Sequence, residues 1–289
     1  MLPQVKIGDF NRLKVKELAR REGYGPVFGL YLEGGREGDI LMPQKYAPEG
    51  VKPGDEVDCF VYLDQEERLV ATTEKPLAKV GDFAWLKCSW VNEYGAFLVW
   101  GITKNLFCPF REQKKRMEVG NSYIVHIHID EESYRLMASA KVEHYLSHDK
   151  PAYKPNDEVD LLVWQKTDLG FKVIVDNKFG GLVYKDQIYQ YIHSGDRLKG
   201  YVAQVRADGK LDITLQPAGR RETEDFAQTL LQWLKDNGGS CPLGDKSDAE
   251  DIKRMFLVSK KTFKRAIGAL YKQHLIVLEG NGFRLTTED

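Results

Sequence analysis

Three stretches of this chain obey one grammar, and a fold that must be built three times over from about 70 residues has few options. A first glycine stands among apolar residues: Gly25 in Tyr24-Gly25-Pro26-Val27-Phe28, Gly95 in Tyr94-Gly95-Ala96-Phe97, Gly170 in Leu169-Gly170-Phe171-Lys172. The spacing is 70 and then 75 residues. A second apolar patch follows at 40–43, 106–109 and 181–184. A turn comes next, at Pro53-Gly54-Asp55, Val119-Gly120-Asn121 and Ser194-Gly195-Asp196. A last apolar run, at 68–72, 135–139 and 210–214, closes each unit.

The units read as β. After Gly54, Val57, Cys59, Val61 and Leu63 are expected inward and Asp58, Phe60, Tyr62 and Asp64 outward. After Gly120, Tyr123, Val125, Ile127 and Ile129 alternate in the same way with Ile124, His126, His128 and Asp130. Period two over eight residues means strands with one buried face. The third copy, 198–205, alternates less cleanly, which points to a bulge. About five short strands per unit favour a closed barrel, because closure removes exposed edges.

Beyond residue 217 the pattern turns helical. Thr223 is read as a cap for a helix with Phe226, Leu230, Trp233 and Leu234 on one face, stopped by Asn237-Gly238-Gly239. Ser247-Asp248-Ala249-Glu250 opens a second helix with Ile252, Met255 and Phe256 inward. Ser259 caps a third, striped by Phe263, Ile267 and Leu270. Two short strands around Gly280-Asn281-Gly282 end the chain, so the order is that of a winged helix. The third helix carries Lys260, Lys261, Lys264, Arg265 and Lys272, and no acid occurs from 252 to 278, a stretch with seven Lys or Arg. Such a stripe reads as a phosphate-contacting surface.

Tyr94-Gly95-Ala96-Phe97 resembles the aromatic-Gly-Ala-Phe signature of the S1 RNA-binding domain, an OB-fold barrel, and the Gly-Leu-Val at 181–183 and the Gly-Asp turns fit it too. The segment 259–272 is similar to the C-terminal motif of the conserved virulence factor B family, bacterial proteins with tandem S1-type domains and a winged helix. The resemblance implies a mainly β fold with an α+β C-terminal module: S1-like domains over 1–77, 78–146 and 147–219, then a winged helix over 220–289. It also implies an RNA-binding regulator of gene expression.

The expected contacts follow. A barrel with rings on one face binds single strands by stacking. The second unit offers Tyr94, Phe97, Phe110, Arg111, Asp130 and Arg135, with Pro109 where the S1 signature has His. The first offers Tyr24 and Arg68, together with Phe28 and Asp64, and the third Phe171, Lys172, Tyr184, Arg206 and Lys210. The net charges of the four segments are −3, +1, 0 and +1, so affinity is expected to rest on local patches rather than on a general basic surface.

Other functions are disfavoured. Walker, G-x-S-x-G and H-E-x-x-H motifs are absent, so no enzyme is expected. His126 and His128 lack a third ligand at a sensible spacing, and the four cysteines (59, 88, 108, 241) form no C-x-x-C, so neither metal nor cofactor is expected. Without an apolar signal core or an 18-residue apolar run, a cytoplasmic protein off the membrane is expected. The partner expected is single-stranded RNA. The alternatives are a transcription regulator holding duplex DNA through the winged helix, and a scaffold on ribosome or polymerase; the oligomeric state is left open.

Overall fold

The computed structural model describes residues 5–21, 25–188, 191–217 and 220–286, with the helix backbone alone over 220–225. The chain forms two compact units, divided between Leu146 and Ser147. Unit one holds two five-stranded barrels. The first is β1 (Asp9–Arg20), β2 (Val27–Glu33), β3 (Asp39–Pro43), β4 (Glu56–Leu63) and β5 (Leu69–Thr72); the second is β6 (Phe83–Val91), β7 (Gly95–Val99), β8 (Leu106–Pro109), β9 (Ser122–Ile129) and β10 (Leu136–Ser139). Unit two opens with a third: β11 (Glu158–Lys166), β12 (Gly170–Val175), β13 (Phe179–Tyr184), β14 (Arg197–Val205) and β15 (Leu211–Thr214). In each barrel the strands close in the order 1-2-3-5-4, with strands 3 and 5 parallel. This is the OB topology that the repeats predicted.

Hydrogen-bond register aligns the three copies. Gly54, Gly120 and Gly195 share a left-handed backbone, φ +98°, +91° and +98°, that a side chain would strain. Their amides donate to the carbonyls of Val15, Cys88 and Val163 at 2.8, 2.9 and 2.8 Å, pinning strand 1 to the start of strand 4. The second-strand glycine is Gly29 in the first barrel, not Gly25. A Cβ on Gly29, Gly95 or Gly170 would lie 2.4, 2.4 or 2.0 Å from the carbonyl oxygen of Met42, Cys108 or Val183, the same point of strand 3 in every copy. Gly25 is four residues upstream, in the approach to β2, where apolar spacing alone gives it the same look. The irregular third copy has its bulge, between Val202 and Gln204.

The expected outward faces of β4 and β9 are corrected by packing. Phe60 and Tyr62 are buried because Trp100 of the second barrel meets Phe60 edge-on at 5.6 Å. One apolar cluster runs from Phe60, Tyr62 and Val70 into Leu86, Leu98 and Val125, so the first two barrels share a core. Polar ties reinforce it: Lys79 Nζ reaches Asp9 at 3.0 Å, and Thr103 donates to Glu74 through its amide and hydroxyl, both at 3.0 Å. His126 is buried under Tyr145, ring centroids 4.0 Å apart, and His128 lies beside the same ring.

The winged helix comprises α1 (Arg220–Asp236), β16 (Ser240–Cys241), α2 (Ala249–Phe256), α3 (Lys260–Lys272), β17 (Ile276–Glu279) and β18 (Gly282–Leu285). The first helix begins three residues before Thr223, which lies inside it and is no cap. Asp248 and Ser259 cap the other two, accepting from the amides of Glu250 at 2.8 Å and Thr262 at 3.1 Å. Leu230, Leu234, Ile252, Phe263, Ile267, Leu270 and Phe283 form the core. Met255, expected inward, is exposed, because the short α2 turns only Ile252 fully under α3. Cys241 lies in β16, a strand the sequence did not reveal, and all four cysteines are buried thiols; burial pushes Cys59 and Cys108 up to about 12. No described helix is long and apolar enough to cross a membrane.

Candidate nucleic-acid interface

The register identifies equivalent outward positions on strands 1, 2 and 3. In the second barrel they are Trp90, Phe97 and Phe107, since Trp90 pairs with Phe97 and Phe97 with Phe107 across the ladders. In the first they are Glu17, Tyr31 and Leu41, and in the third Gln165, Lys172 and Leu182. Rings fill all three positions only in the second barrel. A bulge at Ser89 turns Trp90 onto the same face as Phe97. The two rings stack, centroids 4.1 Å apart and 6° from parallel, and Phe107 continues the row at 5.0 Å. Trp90 stays 46% exposed, leaving ring surface to meet a base.

Around this row lies a cleft of about 440 Å³. Asn92, Tyr94, Lys104, Asn105 and Arg135 line it from the second barrel, and Asp64, Gln65 and Glu67 from the turn between β4 and β5 of the first. The Asn92 carboxamide oxygen accepts from the amides of Tyr94 and Gly95 at 2.9 and 3.1 Å, which fixes the loop carrying Tyr94. Asn105 donates to Ser89 at 2.9 Å. Lys104 is not a free cation: its Nζ donates to the carbonyls of Leu63 and Asp64 at 2.6 and 2.8 Å, and burial lowers its pKa.

The remaining expected residues are distributed as follows. Tyr94 and Arg135 line the cleft beside Phe97. Phe110 has one face covered by Arg116, whose guanidinium carbon sits 3.4 Å from the ring centre. Arg111 is paired with Asp130 at 2.7 Å; the Ser133 hydroxyl, with its amide and Arg111, holds that carboxyl below its usual range. Arg68 chelates Asp64 at 2.9 and 2.8 Å. Tyr24 lies outside the described residues. Phe171 occupies the position of buried Ala96 and is half-buried against the third core. Lys172 takes the place of Phe97 and lies 5.0 Å from the Trp164 ring. Arg206 binds Asp212 at 2.7 Å and the Tyr184 hydroxyl, and Lys210 pairs with Asp208 at 3.3 Å. On α3, Lys261, Lys264, Arg265 and Lys272 are exposed and Lys260 half-exposed, none in an ion pair among the described residues.

Trp90 and Phe107 are the contributors that sequence reasoning missed. Trp90 lies near the end of β6, in which Phe83, Ala84, Leu86 and Cys88 are buried, and the bulge at Ser89 sends it outward. A tryptophan four residues before Tyr94-Gly95 was the available signal.

Comparison with known proteins places this architecture. The S1 domain family matches residues 7–74, the first barrel, and the CvfB-like winged helix domain matches 228–285. YitL of Bacillus subtilis (strain 168) is 28% identical over 264 residues, covering 89% of this chain and 88% of its own. Conserved virulence factor B of Staphylococcus saprophyticus is 23% identical over 269 residues, covering 91% and 90%. A crystal structure of a multidomain protein with nucleic acid binding domains from Streptococcus pneumoniae aligns over 97% of this chain and 98% of its own, at 24% identity and a TM-score of 0.43. With S1-type barrels, a winged helix that matches the CvfB-like model and relatives along nine tenths of its length, the chain is similar in domain order and over most of its sequence to conserved virulence factor B.

Proposed function

We propose that this protein binds single-stranded RNA, with the second barrel as its main base platform, and that it tunes gene expression after transcription without performing chemistry. Domain limits near 77, 146 and 219 and a cytoplasmic location belong to the same proposal. The observation that carries it is the row Trp90, Phe97 and Phe107, whose rings line up across three strands beside a polar cleft. Stacking accepts any base, because each has a π-face, and a single strand is the form that offers its bases unstacked. The preference for RNA over DNA rests on the S1 character of the barrels.

A second reading has its own observation. The cations of α3 are displayed in one stripe without internal partners among the described residues, as a surface for the phosphates of a duplex would be. Anisotropy titrations of the full chain with one labelled sequence as oligoribonucleotide, oligodeoxyribonucleotide and duplex decide between them. The single-stranded RNA is expected to bind tightest. Trp90→Ala with Phe97→Ala is expected to cost about 1–3 kcal/mol for each stacked base lost. Tighter binding of the duplex, unmoved by that pair, would overturn the platform reading.

A further inference from the structure

The three closing turns are built alike, yet their charges are wired differently. Each is closed by an amide-to-carbonyl bond, Asp64 to Arg68, Asp130 to Arg135 and Arg206 to Lys210, at 2.9, 2.9 and 2.8 Å. The second member is a cation in all three copies. In the first barrel Arg68 chelates its own Asp64, and in the third Lys210 pairs with Asp208 inside the turn. In the second barrel Asp130 is already taken by Arg111 and Ser133. Arg135 therefore pairs outside its barrel, with Glu67 of the first.

Glu67 is set up for that reach. Asp64 accepts from the amides of Glu66 and Arg68 at 2.9 and 3.0 Å and holds the turn. Glu67 takes the left-handed position, φ 65°, where glycine or asparagine would sit with less strain. Lys104 clamps the carbonyls just before the turn onto the second barrel. The carboxylate thus arrives at Arg135 on the rim of the ring row, in the cleft that both barrels line.

We propose that the strand-binding site is shared between the two barrels, that Arg135 is its phosphate subsite, and that Glu67 occupies this subsite until a phosphodiester of single-stranded nucleic acid replaces it. The proposal rests on the ring platform being the binding face. A guanidinium fork fits a carboxylate and a phosphate by the same two-point geometry, so one anion can exchange for the other. Both partners are about half exposed, 56% and 51%, so their pairing adds little to folding and the exchange is cheap. Glu67 then lowers affinity for any polyanion and lets through only strands that also stack, which favours base-displaying single strands over rigid duplex.

The test is anisotropy titration of a fluorescein-labelled oligouridylate with the full chain in about 0.1 M salt. Glu67→Gln is expected to tighten binding about two- to fivefold, the range of one exposed ion pair. Glu67→Asp keeps the charge but shortens the reach, and is expected to tighten binding as well. Arg135→Gln added to Glu67→Gln is expected to abolish the gain. No tightening with Glu67→Gln, a Glu67→Asp protein identical to wild type, or a double variant that keeps the gain each overturns the proposal. If Glu67→Gln disturbs the turn, Glu67→Gly, which suits the left-handed backbone, carries the same expectation. Trp90→Ala with Phe97→Ala is titrated alongside. Binding that survives this pair defeats the platform itself, whereas binding that falls with it and ignores Glu67 defeats only the exchange.

Discussion

His126 shows at residue scale what burying an outward strand position does. Its ring is pressed between Phe83, at 4.8 Å, and Tyr145, at 4.0 Å, and its Nδ1 is buried with no hydrogen-bond partner among the described residues. Burial, with His128 beside it, lowers its pKa from 6.5 to about 4. A base that protonates less readily when folded loses stability as pH falls. Above about 6.5 both states are neutral and the contribution is whole; between 6.5 and 4 the unfolded chain takes up the proton and gains. The full effect is about 3 kcal/mol. Urea midpoints measured from pH 7.5 down to 4.5 should therefore fall for the wild type, and His126→Phe, which keeps the stack, should flatten the decline. Equal slopes in the two proteins would mean that other groups set the acid limit.

At the scale of elements, α3 offers the clearest test. Lys261, Lys264 and Lys272 stand on its exposed face while Phe263, Ile267 and Leu270 hold the opposite face in the core. Changing the three lysines to Glu leaves the core and the Ser259 cap untouched. If each lysine meets one phosphate, the dependence of log affinity on log salt should lose about 2 in slope for a single strand and nearly 3 for a duplex. An unchanged slope would make the helix a solvated face. This helix was legible in the sequence because cap, apolar stripe and charge all lie within 14 residues. The platform was only partly legible. Tyr94 and Phe97 flank a glycine that any reader would notice, whereas Trp90 and Phe107 become their neighbours only through ladder pairing and the bulge at Ser89. The same limit explains Gly25. Apolar spacing identified a glycine before a strand, but only the contact of a virtual Cβ with Met42 selects Gly29.

The whole molecule is less modular than three repeats suggest. Strand alternation describes a barrel alone in water, and it assigned Phe60 and Tyr62 to solvent. In the folded chain a second barrel covers that face, and contacts between distant segments, such as Phe60 with Trp100 or Glu67 with Arg135, leave no periodic trace. The energetic consequence is cooperativity across the repeat boundary. Phe60 is fully buried and belongs to the cluster that holds Leu86, Leu98 and Trp100. Phe60→Ala should cost about 3–5 kcal/mol, as truncation of a core aromatic does. Because the cavity opens between the barrels, the loss should fall on both. Amide hydrogen exchange of the full chain can resolve this, since protection is read peptide by peptide. Protection of β6, β7 and β9 in the second barrel is expected to drop together with that of β1 and β4, although the substitution lies in the first. A drop confined to β1–β5 would show that the barrels fold as separate beads, and the site that draws on both would then depend on their docking rather than on a common core.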